Sequence, residues 1–395
     1  MRMTAWAILA LLVTSGCAPA PREPLCVLSP AMMPESWWPS GAVQKGLSAG
    51  PWSIDETKDA EHAAVAGFAE LREFFADRPR AVAALGSDAV ESVIDSSYAA
   101  SNMPALQTEA RELARQNLIQ LITPYLGRGT GAASCKEFST LLDLAIKANA
   151  LLPPEDVRIP ALVGLANAGY RSCGSLTTAM GYDFHQRLAA EKISTDDVWD
   201  LVMWSITFTD AQLVPGLDLP ADARNLPPAL WGFLAHYPLV SARAFPDRAR
   251  NSAFYDTAYL ATHLAYIPTG YGRHPIYISD APWLYQFLRE NFYPVLEMGE
   301  LDLVAEFVDA FRQYRCTEQN DLQLRDGTRY LLRLFHRAGD RWMAYREPNE
   351  PADTGDYNEI HKAWTGISAV RVRIPEPPGP GTYGHVVRTW LGYPR

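Results

Sequence analysis

Apolar residues recur at intervals of three and four positions along almost the whole chain from Asp55 onward. That spacing matches one face of an α-helix, because residues three and four apart lie next to each other on the helix surface. Segments with the alternating pattern of a half-buried strand are weak throughout, and turns rich in proline and glycine separate the helical segments. The pattern therefore predicts an all-α fold.

Two helix starts are marked by residues that cap exposed backbone N–H groups. Ser134 and Glu137 have the spacing of a capping box, and Ser194 stands before Asp196 and Asp197 at the start of another apolar run. Further helices are expected at about 57–77, 104–123, 252–267, 282–296, 301–315, 322–336 and 357–371. About a dozen helices with their loops favour a toroid-like ring of helical hairpins or an open solenoid.

The N-terminus has the features of an export signal. Arg2 is followed by an uninterrupted apolar stretch from Ala5 to Val13, which is too short to span a bilayer, and then by small residues before Cys17. The segment resembles a bacterial lipoprotein signal, with Thr14 where leucine is usual. We therefore expect a signal peptide at 1–16, lipidation of Cys17 and a membrane anchor; an ordinary secreted protein is the alternative. Ala18 resembles the pattern of lipoproteins on the outer membrane, which would face the periplasm.

The remaining chain divides by composition into three parts. Residues 17–53 carry the lipidated cysteine and a proline-rich tether and lead-in, which we expect to pack Trp37 and Trp38 on the domain. Residues 54–374 form the predicted all-α domain, and no composition break marks a second one. Residues 375–395 are a tail rich in proline and glycine that we expect to pack on the domain.

Charge and cysteine content limit the partners and the compartment. The formal net charge of −10 disfavours a nucleic-acid binder, which would normally carry a basic patch. Four cysteines remain after Cys17, namely Cys26, Cys135, Cys173 and Cys316. In an oxidising compartment they can form two disulfides with three possible connectivities, and buried free thiols are the alternative.

The last hundred residues resemble the repeats of a known superfamily. The run Gly327–Trp342 reads as an outer helix followed by a Gly-Asp-x-Trp turn, and Ile360–Val370 reads as an inner helix that opens with His361. Residues 300–372 thereby resemble the terpenoid cyclase and protein prenyltransferase superfamily. The resemblance implies an α/α toroid with ligands in the cavity enclosed by its inner helices. His361 looks like the zinc-binding histidine of the prenyltransferases.

The resemblance implies a fold more than a reaction. The aspartate and cysteine zinc ligands of the prenyltransferases have no counterpart in this chain, and there is no acidic DxDD run like that of the cyclising enzymes. We therefore do not infer prenyl transfer or terpenoid cyclisation.

A second candidate site lies between residues 254 and 266. Asp256, Tyr259, His263 and Tyr266 are spaced at three, four and three, which aligns them on one helix face. His263 could move protons, oriented by Asp256, while Tyr259 and Tyr266 position a substrate. The alternative is a buried histidine and tyrosines that satisfy each other.

Three other residues complete the predicted ligand-binding set. Tyr271 lies in the glycine-rich loop after the His263 helix, and His361 and Trp364 lie one turn apart on the last predicted helix. His263 and His361 are also candidate ligands of a divalent metal, which would need a third ligand. Acidic residues at likely helix starts, such as Glu300 and Asp302, are explained by compensation of the helix dipole.

These observations favour an exported lipoprotein whose polar aromatic cavity binds a small organic or sugar-like ligand. If the protein is an enzyme, it would also transform that ligand. The alternative is a non-catalytic binding or scaffold lipoprotein of the cell envelope. An open pocket lined by both histidines would favour the first reading. A filled centre with apolar patches on the outer surface would favour the second.

Overall fold

The computed structural model describes residues 26–37, 39, 50–99, 102–129, 133–245, 251–347, 355–370, 379 and 381–392. The predicted signal peptide 1–16, the lipidation site Cys17, Trp38, part of the lead-in and the predicted domain end at residue 374 lie outside these residues. Within the described ranges the all-α prediction is confirmed. They contain no strand, and their one isolated bridge joins Leu28 to Asp321.

Twelve longer helices and four short ones make up the described fold. Their bounds are α1 Ile54–Asp77, α2 Ala81–Leu85, α3 Asp88–Ala99, α4 Pro104–Leu126, α5 Phe138–Leu151, α6 Arg158–Cys173, α7 Leu176–Met180, α8 Phe184–Leu188, α9 Thr195–Ala211, α10 Ala221–Leu234, α11 Ser252–Thr269, α12 Pro282–Met298, α13 Leu301–Gln313, α14 Leu322–Arg337, α15 Gly355–Val370 and α16 Tyr383–Trp390. All seven ranges predicted from periodicity lie within three residues of observed bounds.

Capping residues explain where several of these helices begin. Ser194 accepts a hydrogen bond from the N–H of Asp197 at 3.1 Å at the start of α9. Ser134 donates its N–H to Glu137 at 3.1 Å, and a short 3₁₀ turn carries the chain from this pair into α5. Both predicted caps therefore satisfy backbone groups that a bare helix end would leave without partners.

The longer helices alternate along the chain between two sets. One set contains α3, α5, α9, α11, α13 and α15. Each of the first five packs on the helix of the other set that follows it in the chain, and α15 packs on α1. Contacts within this set run from α3 to α15, α13, α11, α9 and α5 in turn. The circuit is completed where Lys147 of α5 donates to Glu91 of α3 at 2.7 Å. The first and last helical hairpins of the described chain thus lie side by side.

Trp342 fills the contact between the first and the last of the longer helices. Its side chain is fully buried, and the indole N–H donates to the carbonyl of Ala63 at 2.9 Å. Gly67 of α1 and Gly366 of α15 face the indole, and a Cβ at Gly366 would lie 2.5 Å from it. The tryptophan of the predicted Gly-Asp-x-Trp turn therefore fits between α1 and α15 because Gly67 and Gly366 have no side chains that would collide with it.

Two disulfides cross-link the fold, as the cysteine content predicted. Cys26 pairs with Cys316 and Cys135 pairs with Cys173, with Cα atoms 4.8 and 4.7 Å apart. The first disulfide ties the lead-in to the loop before α14. Trp37 of the same lead-in is partly buried against the core.

The C-terminal helix α16 packs on α9 and α11. Tyr383 is fully buried there and donates its hydroxyl to the carbonyl of Ile267. None of the helices in the described ranges is both long enough and apolar enough to cross a membrane.

Candidate functional site

A cavity of about 130 Å³ lies among helices α3, α9, α11, α13 and α15. All five helices belong to the set whose contacts run from α3 through α15, α13, α11 and α9 to α5. Its lining residues are Asp88, Glu91, Asp95, Met203, His263, Tyr266, Tyr271, Ala305, Glu306, Asp309, Tyr357, His361, Trp364, Thr365 and Ser368.

Five of the predicted site residues line this one cavity. They are His263 and Tyr266 from α11, Tyr271 from the turn after it, and His361 and Trp364 from α15. Helix α11 runs through Pro268 and ends at Thr269, two residues beyond the predicted end at 267. The sequence therefore identified two walls of the cavity that are almost a hundred residues apart along the chain.

Asp256 does not take part as predicted. It is exposed and does not line the cavity. The reason is its position on α11, because seven residues of helix place it about 10 Å along the axis from His263. Glu306 of α13 is the carboxylate beside His263, with its Oε2 atom 3.5 Å from the imidazole Nδ1.

Tyr259 acts next to the cavity rather than in its wall. Its hydroxyl donates to Oδ2 of Asp302 at 2.8 Å. The other carboxylate oxygen of Asp302 lies 3.3 Å from Nδ1 of His361. Helices α11, α13 and α15 are thereby linked through one carboxylate.

Acidic side chains are the part of the site that sequence reasoning missed. Helix α3 contributes Asp88, Glu91 and Asp95, and helix α13 contributes Glu306 and Asp309. We explained Asp302 at the start of α13 by the helix dipole, and its contact with His361 gives it a second role. The signal was present as acidic residues spaced three and four apart on two helices, which places them on one face.

His263 is held by contacts to its own helix. Its Nδ1 atom lies 3.1 Å from the carbonyl oxygen of Tyr259 and 3.2 Å from the hydroxyl of Thr262. The ring of Trp199 packs against it with centroids 4.3 Å apart. Burial lowers the pKa of the His263 imidazole to about 4, so the ring is neutral at neutral pH.

Burial shifts the pKa values of two cavity carboxyls in the opposite direction. Glu306 is buried, and this burial together with the nearby Asp302 carboxylate raises the pKa of Glu306 well above its ordinary value. Thr262 donates its hydroxyl to Glu306 and opposes the shift. Burial, reinforced by Glu91, raises the pKa of Asp88 to about 6. Neutral and charged groups therefore lie side by side in the cavity.

Aromatic rings form much of the remaining wall. Tyr266 and Tyr271 stack with centroids 4.7 Å apart, and Tyr271 has a positive φ of 57° that turns it back over the end of α11. Across the cavity, Tyr357 stacks on His361 at 5.0 Å. Trp364 donates its indole N–H to Asp95 at 3.2 Å. The cavity thus combines flat apolar surfaces with many hydrogen-bond acceptors.

One group of side chains in this cavity could hold a metal ion. Asp302, Glu306 and His361 each offer a ligand atom, and these three atoms lie within 4.8 Å of one another. His361 was a predicted metal candidate and belongs to this group. The other candidate, His263, lies beside Glu306 and outside the group.

Two neighbouring spaces share lining residues with this cavity. A space of about 90 Å³ shares Glu91, Asp95, Met203 and Tyr271 with it. A larger one of about 580 Å³ also reaches Met203 and is more open. Met203 therefore lies in the wall of all three spaces.

Comparison with known proteins adds no assignment to this geometry. No protein-family model matches the chain, and no curated protein or solved structure matches it either.

Proposed function

We propose that this protein is an envelope enzyme that binds a small hydroxyl-rich ligand of the saccharide class in its central cavity and cleaves it by acid–base hydrolysis. The convergence of His263, His361, Tyr266, Tyr271 and Trp364 on one cavity is the observation that carries the proposal. We further infer that the closed circuit of alternating helices is an α/α toroid, in line with the resemblance of residues 300–372.

The chemistry of the wall suits a saccharide. Carboxylates such as Glu91 and Asp95 can accept hydrogen bonds from several ligand hydroxyl groups, since each carboxylate oxygen offers two acceptor positions. Tyr271 and Trp364 offer ring surface against which the apolar C–H faces of a sugar can pack. A few convergent polar groups between aromatic walls are typical of small-molecule sites.

The proposed reaction is hydrolysis of a glycosidic bond. Asp88 of α3 and His263 of α11 both line the cavity, and we assign the two proton transfers to them. Asp88 would give a proton to the leaving oxygen as the C–O bond breaks. Water would attack the anomeric carbon, and His263 would take the proton that the water loses.

The scaffold alternative has less support. It predicts a filled centre and exposed apolar or aromatic patches on the outer surface. Large apolar side chains that are exposed come from separate elements of the described chain, such as Val27, Ile54 and Val157, which is normal for a monomeric surface. Met203 and Tyr357 are the exposed ones that belong to the cavity wall.

We also propose that the chain is exported and anchored through Cys17. Fractionation of cells that produce the full chain tests this most directly. The two disulfides support an oxidising compartment. Cys17→Ala should release the protein from the membrane fraction and abolish labelling with a palmitate analogue. Retention of both would contradict the anchor.

Binding and turnover test the cavity separately. Thermal shift and calorimetry with a panel of neutral mono- and oligosaccharides should detect a ligand that Trp364→Ala binds at least tenfold more weakly. Chromogenic aryl glycosides should be cleaved by the wild type, while Asp88→Asn and His263→Gln lose more than 100-fold in kcat. Tyr237→Ala, which lies outside the cavity, is the control. Absence of binding and cleavage across the panel would overturn the proposal.

A further inference from the structure

We propose that Asp302, Glu306 and His361 form a binding site for a divalent transition-metal ion of the zinc type. The three residues come from two adjacent helices of the circuit, α13 and α15. The site would lie in the wall of the central cavity, which Glu306 and His361 line directly. Metal binding here does not depend on the saccharide proposal, because it concerns the protein without an organic ligand.

The distances among the three side chains suit one small ion. Nδ1 of His361 lies 3.3 Å from Oδ1 of Asp302, and the three ligand atoms all lie within 4.8 Å of one another. Two ligands of a tetrahedral zinc ion at about 2.1 Å are roughly 3.4 Å apart. An ion could therefore enter between these side chains with small side-chain adjustments.

The local charge also favours a cation. Asp302 and Glu306 are one helical turn apart on α13, and Asp309 follows on the same side. None of the side chains that line the described cavity is a lysine or an arginine. Carboxylates taken out of water cost several kcal/mol each unless a positive charge compensates them. A bound divalent ion would supply that charge.

Neighbouring groups already orient the ligands. Tyr259 donates its hydroxyl to Oδ2 of Asp302 at 2.8 Å, and Thr262 donates to Oε2 of Glu306. The remaining Oδ1 atom of Asp302 is buried and accepts no hydrogen bond within the described structure. Hydrogen bonds of this kind to metal-binding carboxylates are a regular feature of protein metal sites. The oxygen without a hydrogen bond is the one that faces His361.

The donor set selects the class of metal. An imidazole nitrogen with two carboxylates suits zinc and its neighbours, whereas calcium and magnesium prefer sites made of oxygen alone. Three protein ligands beside a cavity leave a fourth position open to water, which is the arrangement of catalytic zinc sites. Such an ion would activate the water that attacks a ligand in the cavity.

Two other clusters of ligand-type residues differ from this one. Cys26, Cys316 and Asp321 are close together, but the sulfurs form a disulfide and Asp321 pairs with the buried Arg289. His336 lies 2.6 Å from Asp340 and 2.9 Å from Asp59 on an exposed surface. His336 is therefore a matched control, because it also lies beside two carboxylates but on an exposed surface.

The test is zinc binding by the purified chain after treatment with a chelator. Isothermal titration calorimetry with Zn²⁺ should give one tight site in the wild type. Asp302→Asn, Glu306→Gln and His361→Gln should each weaken it at least 100-fold, while circular dichroism confirms that they remain folded. His336→Gln should bind as the wild type does, and Ca²⁺ should not compete at equal concentration.

Three results would overturn the proposal. They are no zinc binding tighter than about 100 μM by the wild type, unchanged binding by His361→Gln, or loss of binding by His336→Gln to the same degree as His361→Gln. Should one of the first three variants unfold, Tyr259→Phe still tests the site, because it leaves all three ligands in place. Saccharide binding is measured separately, so a failure of one proposal leaves the other testable.

Discussion

The hydroxyl of Tyr259 donates a hydrogen bond to Asp302 across 2.8 Å, although the two residues belong to different helices and lie 43 positions apart. The bond occupies one carboxylate oxygen and turns the other towards His361, 3.3 Å away. Tyr259 thereby fixes the orientation of the Asp302 carboxylate, although Tyr259 itself does not line the cavity. It is a positioning residue for the proposed metal site.

Tyr259→Phe should weaken zinc binding by about tenfold without unfolding the protein. Removal of a hydrogen bond that orients a metal ligand typically costs ten- to a hundredfold in affinity. The ring itself remains and keeps its contact with Tyr255, whose centroid is 4.8 Å away. Calorimetry with Zn²⁺ measures the change.

Tyr330→Phe is the matched control for this substitution. It also removes a tyrosine hydroxyl from a hydrogen bond, in this case to the backbone carbonyl of Gly299 at 2.9 Å rather than to a ligand carboxylate. Zinc affinity should be unchanged. An equal loss of affinity in Tyr259→Phe and Tyr330→Phe would refute the positioning role.

Gly366→Ala should destabilise the protein by about 1–3 kcal/mol, because it overpacks the contact around Trp342. The added methyl would lie 2.5 Å from the indole. Alanine in place of glycine ordinarily stabilises a helix interior by about 1 kcal/mol. The expected loss of stability in Gly366→Ala is therefore opposite to the effect of helix propensity. Denaturation with urea measures the free energy of unfolding.

Gly232→Ala in α10 separates packing from propensity. No atom would lie within 4 Å of the new Cβ there. This variant should therefore be more stable than the wild type by about 0.5–1 kcal/mol. If both alanine variants changed stability in the same direction, the close packing of Trp342 would not be the cause.

The helices could be predicted from the sequence because their determinants are local. The serine at 194 and the apolar spacing after it are enough to start α9, and the observed helix begins at Thr195. The disulfide pairing could not be predicted in the same way. Cys26 and Cys316 are 290 positions apart, and only the packing of the whole chain brings them together.

The candidate site was predicted in part for the same reason. His263 and Tyr266 share a helix face, so their common orientation follows from their spacing alone. The acidic wall depends on which helices face each other, and a single sequence does not contain that information in local form. Asp302 is an example. Its position at a helix start is a sufficient local reason for an acidic residue, and only the folded structure shows its contact with His361.

The Cys26–Cys316 disulfide should contribute more stability than the Cys135–Cys173 disulfide. The first closes a loop with a sequence separation of 290 and the second one of 38. Loop-closure entropy grows with the logarithm of that length, which gives a difference of about 2 kcal/mol. The double variants C26S/C316S and C135S/C173S, compared by urea denaturation, test this order.

Reduction provides the control for the disulfide prediction. In excess dithiothreitol the wild type should lose the stability contributed by both disulfides, and the two double variants should lose only what remains. On reduction C135S/C173S, which keeps the Cys26–Cys316 disulfide, should lose more stability than C26S/C316S, and the reverse order would contradict the dependence on loop length.

Asp326→Asn should raise stability at alkaline pH and leave it unchanged at acid pH. Burial raises the pKa of Asp326 from its ordinary 3.8 to about 6, although the nearby Arg325, Arg329 and Arg333 oppose the shift. The folded protein therefore holds the proton more tightly than the unfolded chain. Stability that is present below pH 4 is lost as the pH rises through 6.

The expected gain for Asp326→Asn is on the order of 2 kcal/mol at pH 8 and close to zero at pH 3.5. The hydroxyl of Tyr293, which donates to Asp326 at 2.7 Å, can donate equally to the asparagine carbonyl oxygen. Asp256→Asn, at an exposed position, should change stability by less than about 0.5 kcal/mol at both pH values. A gain for Asp326→Asn that is the same at both pH values would show that packing, rather than the cost of a buried charge, determines the effect.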